Sequence, residues 1–121
     1  MSEPFEYALL RAVPRADRGE CINVGVLLYC QAASFLGLAA EVDAERLRGL
    51  DPHADLDAVV AAVDGVRQVC ADASWPVRER FGWLTAPRST VLRTSPVHCG
   101  VTDDPAATMQ RLFARLVLPP R

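Results

Sequence analysis

The run Cys21–Cys30, CINVGVLLYC, constrains this chain more than any other segment. Read at a period of two, Ile22, Val24, Val26, Leu28 and Cys30 fall on one face and Cys21, Asn23, Gly25, Leu27 and Tyr29 on the other. Both faces are apolar, with Asn23 the polar interruption. A half-solvated strand alternates apolar with polar side chains, so a strand that does not alternate belongs in the middle of its sheet. Gly25 has no side chain to pack and marks a bulge or a close approach by another element.

The neighbouring segments supply partners for that strand. Phe5–Val13 reads as a strand, 14–19 as a loop, and Ser34–Ala40 as a third strand after a short turn. Strands this close in sequence pair antiparallel. Helical signals follow. Asp43 can cap a short helix over 44–50. Asp51-Pro52 gives an acidic cap and a proline at the first helical position. From there Leu56, Val59, Val60, Val63, Val66 and Cys70 form one stripe, predicting a helix from Pro52 to about Ala73. Pro76 permits a short helix within 75–84. Residues 89–94 read as a fourth strand, broken at Ser95-Pro96, and 97–101 as strand or loop. Asp104-Pro105 opens a last helix carrying Met109, Leu112, Phe113, Leu116 and Val117 on one face and ending at Pro119-Pro120. Strands first and helices after predict an α+β fold: an antiparallel-dominated sheet of about four strands with helices packed on one face. The chain has 121 residues, which fits a single domain over 1–121.

Composition narrows the chemistry. All thirteen basic residues are arginine, which excludes a P-loop lysine, a Schiff base and a lysine general base. No G-x-G-x-x-G follows a strand, and neither G-x-S-x-G nor H-E-x-x-H occurs. The expectation is no cofactor, no metal and no identified catalytic set. Cys21, Cys30, Cys70 and Cys99 form no C-x-x-C and read as buried free thiols of a reducing cytosol. The acidic start, 1–4, resembles no signal peptide, and no apolar run is long enough to span a bilayer. A cytoplasmic protein with no membrane contact is expected.

Charge is distributed unevenly. Residues 1–40 carry three arginines and four acids, 41–75 three and eight, and 76–121 seven and three. The bland account pairs the acidic middle with the basic end; the alternative directs the arginines at an outside anion. The net charge of −2 and the lack of an aromatic-rich basic motif make nucleic acid an unfavoured partner.

Two polar constellations interrupt the apolar pattern. The first holds Arg18, Glu20 and Asn23. Asn23 either satisfies backbone groups of the 14–20 loop or lines a cleft with the other two. The second holds Arg88, Ser95 and His98, where an arginine and hydroxyls suit a phosphate or carboxylate. Cys99 beside His98 does not make a catalytic pair, because neighbours on a strand point to opposite faces.

Several of these residues carry a family resemblance. The stretches 7–14 (YALLRAVP), 18–20 (RGE) and 23–26 (NVGV), with the later Phe81, Trp83-Leu84, Pro87-Arg88 and Ser95-Pro96, resemble DUF3037, small bacterial proteins of unknown function. The resemblance spans nearly the whole chain and directs attention to Arg18, Glu20, Asn23, Arg88 and Ser95. Members are often encoded beside HipA-like kinase genes, so it implies a binding or regulatory module acting on a protein partner. The alternative is a small enzyme or ligand-binding domain that recognises an anionic group through arginines. Whether the two polar blocks share one pocket is what sequence leaves open.

Overall fold

The computed structural model describes residues 2–87 and 90–120. The elements are β1 (Glu3–Ala12), β2 (Ile22–Cys30), β3 (Phe35–Ala40), α1 (Ala44–Leu50), α2 (Leu56–Ala71), α3 (Val77–Leu84), β4 (Leu92–Thr94), β5 (His98–Thr102) and α4 (Pro105–Leu116). They form an α+β fold with an antiparallel sheet ordered β3-β2-β1-β4, to which β5 adds by pairing with β1. There are thus five strands rather than four. Ser95-Pro96 breaks the chain between 92 and 102, and the two pieces pair with successive stretches of β1, Leu10–Ala12 and Glu3–Tyr7.

β2 is central, as its composition requires, and helices cover both faces of the sheet rather than one. On one face, Phe5, Leu9, Val26, Leu28 and Cys30 pack under Met109 and its α4 neighbours. On the other, Leu10, Ala12, Ile22 and Val24 meet Leu47 of α1 and Val59 and Val63 of α2, while Leu27 and Tyr29 meet Phe81 and Leu84 of α3. A strand apolar on both sides exposes oily surface unless both sides are covered, at about 25 cal/mol for each Å² left wet. That cost rules out the one-sided arrangement.

A bulge decides which β2 residue faces which helix. Leu10 pairs with Gly25 and Arg11 with Asn23, so Val24 is an extra residue in the ladder. Val24 and Gly25 consequently lie on the α1–α3 side, and Asn23 turns toward α4. A Cβ on Gly25 would sit 3.1 Å from the Ala39 carbonyl oxygen, so glycine suits the bulge.

Three helices start on an aspartate whose side chain accepts a backbone N–H: Asp43 from Arg46, Asp55 from Ala58 and Asp104 from Ala107. α2 starts at Leu56 and not at Pro52. The Asp51 carboxylate accepts from the His53 N–H, and its carbonyl from the Ala54 N–H, closing a turn before the helix. Among the described residues no helix is long and apolar enough to cross a membrane.

Candidate functional site

The structure does not gather the residues singled out by sequence. Arg18 and Glu20 form an ion pair in the exposed loop before β2. The Arg18 guanidinium holds the Glu20 carboxyl below the usual carboxylate range, which keeps it ionised. Asn23 faces away from that loop's backbone: its Oδ1 accepts from Arg11 Nε at 3.3 Å and its Nδ2 donates to the Leu116 carbonyl at 3.1 Å. Ser95 is buried. Its Oγ accepts the Leu9 N–H at 2.8 Å and donates to the Pro96 carbonyl at 2.9 Å, so it joins β1 to the break between β4 and β5. His98 is exposed on β5, opposite Tyr7, with ring centroids 5.1 Å apart. Arg88 lies outside the described residues. Cys21 and Cys99 are exposed, contrary to the expectation of buried thiols, because each sits where its strand begins or runs along the open edge; Cys30 is buried.

Among the described residues no arginine forms an ion pair with the acidic middle of the chain. Among the described residues the ion pairs are Arg15–Asp17 and Arg18–Glu20, both within one loop. Several arginines instead meet carbonyls that helices leave unpaired at their ends. The buried Arg80 donates to the Val69 and Cys70 carbonyls, ending α2, and to the Trp75 carbonyl at 2.7 Å. Arg46 donates to the Val117 carbonyl at 3.2 Å, beside the Asn23 contact to Leu116, ending α4. Arg111 donates to Thr108 Oγ1 at 2.9 Å. In the sequence Arg80 reads as an exposed arginine, open with Arg78, Arg111 and Arg115 to an outside contact such as nucleic acid, and its burial was not foreseen.

Arg93 stands apart from this pattern. β1 register places Arg11 between Asn23 on β2 and Arg93 on β4, so two guanidinium-bearing residues are cross-strand neighbours. Such neighbours have Cβ atoms roughly 5 Å apart, and like charges at that distance repel. Arg11 engages Asn23, whereas the buried Nε of Arg93 has no hydrogen-bond acceptor. An unsatisfied buried donor costs about 1–3 kcal/mol. No described carboxylate neutralises either residue.

Arg93 also lines a cavity of about 310 Å³ at the sheet edge, between β4, α2 and α3. Leu10, Ala62, Val66, Leu84 and Leu92 give it apolar walls, Thr90 and Thr94 add hydroxyls, and Trp83, half exposed, belongs to its lining. A wider depression of about 600 Å³ is lined by residues of α4 alone and has no facing wall. The cavity opens on the face of Leu10 and Leu92, whereas Arg93 shares the opposite face with Arg11 and Asn23, so the adjacent arginines and the donor lacking its acceptor, on the α4 side of the β4 edge, are the candidate binding site. Its chemistry is the fixed recognition of an oxyanion by a planar guanidinium.

Comparison with curated proteins and with solved structures finds no match. The family model described as "Protein of unknown function (DUF3037)" matches residues 7–117, from β1 through α4, and the chain belongs to that family.

Proposed function

We propose that this protein is a binding module that recognises an anionic group on its ligand or partner, with Arg93 and Arg11 as the recognising residues. The observation that carries the reading is the Arg93 Nε, buried beside a second arginine without an acceptor. An incoming oxyanion supplies that acceptor and offsets the repulsion between the two guanidinium groups. The dispersal of reactive side chains supports binding over catalysis: the Ser95 hydroxyl bonds backbone groups, Glu20 is paired, and His98 and Cys99 occupy opposite faces of β5. Thermal melts with added phosphate or acetate test this. A ligand at ten times its Kd adds about 1.4 kcal/mol, which raises the Tm of the wild type by several degrees. Arg93→Gln should lose that shift. An equal shift in both proteins contradicts the reading.

A second reading, regulation of a protein partner such as a HipA-like kinase, draws on the exposed Val97, just before edge strand β5, and Val101 within it, 40% and 71% exposed. Unpaired strand edges of this kind accept another strand. Co-purification with the kinase, weakened by Val101→Glu, supports it, and a protein that runs alone in both forms opposes it.

A further inference from the structure

We propose that the protein forms a two-fold dimer in which the β5 edges of two copies pair antiparallel about Cys99, continuing the sheet from one molecule into the next. The backbone sets the phase. The Ser95 N–H donates to the Leu9 carbonyl and the Val13 N–H to the Val91 carbonyl, so the odd residues of β1 turn their backbone groups toward β4 and β5. Tyr7, Phe5 and Glu3 therefore make the hydrogen-bonded pairs with His98, Gly100 and Thr102. The N–H and C=O groups of Cys99 and Val101, and of Val97 in phase with them, point to the open side. Cys99 lies beside Glu6 and Val101 beside Pro4, on the sheet face away from α4, and the side chains of Val97, Cys99 and Val101 are all exposed. Among the described residues the other exposed large apolar side chains, Val60 and Trp83, belong to helices, so β5 is the sheet edge left wet.

The pattern on that edge fits a second copy. Its open-side positions, Val97, Cys99 and Val101, read the same in both directions. With the axis at Cys99, Val97 meets the second copy's Val101, Cys99 meets Cys99, and His98 passes over Gly100, which has no side chain to obstruct it. Moving the axis to Gly100 keeps the backbone phase but sets Val97 against the charged Asp103. Open edges are protected from one another by charge, proline or a bulge. His98–Thr102, HCGVT, has no charged residue at neutral pH and no proline, and its register with β1 runs without a shift. Glu6 and its counterpart would stand three strand spacings apart, roughly 14 Å, beyond a Debye length of about 8 Å. The dimer leaves the arginines on the α4 side free, so it goes beyond the anion reading; it competes with the second reading for one edge.

Opposed hydrogen-bonded residues have Cα atoms about 5.5 Å apart, which puts the two Cys99 thiols within reach of a short bismaleimide. The experiment is analytical ultracentrifugation of the full chain, with bismaleimide cross-linking of Cys21→Ser, which lacks the other exposed thiol. Circular dichroism confirms that the variants remain folded. The expected result is a dimer that cross-links in Cys21→Ser, fails to cross-link when Cys99→Ser is added, and dissociates at least tenfold more readily in Val101→Glu. Arg93→Gln should keep the dimer while losing the response to phosphate or acetate, so the two readings fail separately. A monomer at every concentration, or a dimer that does not cross-link through Cys99 or that Val101→Glu leaves intact, overturns the inference. A chain that is monomeric alone yet binds the kinase through Val101 overturns it in favour of the second reading.

Discussion

Single residues in this protein are governed by unpaired backbone and side-chain groups. Asn23 and Ser95 were legible in the sequence as polar residues in apolar surroundings, and burial demanded partners for them. The partners themselves were not legible, because they lie 93 and 86 positions away, at the Leu116 carbonyl and the Leu9 N–H. The burial of Arg80 and of the Arg93 Nε gave no signal, since a buried arginine reads like an exposed one until its neighbours are known. Arg80→Ala leaves the Val69 and Cys70 carbonyls without their donor and should destabilise the fold by about 2–4 kcal/mol in urea unfolding. A loss below about 0.5 kcal/mol would contradict this role. Burial pushes the Cys70 thiol up to about 11, from an ordinary value of 9.0. A raised folded value means that the stability contributed by the neutral thiol is complete below about pH 9 and is lost as pH rises through about 11. The chain has no lysine to titrate in that interval. The stability of Cys70→Val should therefore fall less steeply there than that of the wild type; parallel curves would refute the assignment.

At the scale of elements, periodicity located the strands and helices well and their boundaries less well. The stripe from Leu56 to Cys70 identified α2, yet Asp51-Pro52 mimicked a helix start that local hydrogen bonds turned into a bend ending in Asp55. Replacing the true cap, Asp55→Ala, should cost about 1 kcal/mol, whereas Asp51→Ala should leave α2 intact by hydrogen exchange. Protection lost from the first turn of α2 in the Asp51 variant would reverse that assignment. The bulge was foreshadowed by Gly25, but not its consequence. By placing Val24 and Gly25 on one side it splits Ile22 and Val24 from Val26 and Leu28, which a strict period of two had joined. Phe81→Ala removes the ring stacked on Tyr29 at 5.1 Å and should cost about 3–5 kcal/mol, measured by thermal unfolding.

For the whole molecule, the two-faced β2 strand sets the architecture: a sheet with α4 on one side and α1–α3 on the other. Among the described residues the uneven charge along the chain does not resolve into ion pairs between its acidic middle and basic end. Arginines instead end α2 and α4, and Arg93, at the β4 edge, has a buried Nε without an acceptor beside Arg11. Membership of DUF3037 extends from residue 7 to residue 117 and includes both Arg11 and Arg93. The site was missed in the sequence because Arg11 and Arg93 come from β1 and β4, and only the folded sheet brings them side by side. The Arg93 Nε–H can be observed directly by ¹⁵N NMR during titrations with phosphate and with acetate. The account predicts a saturable shift of that resonance while the Arg80 Nε–H, bonded to the Trp75 carbonyl, stays in place. An Arg93 resonance that does not move up to saturating ligand would contradict it.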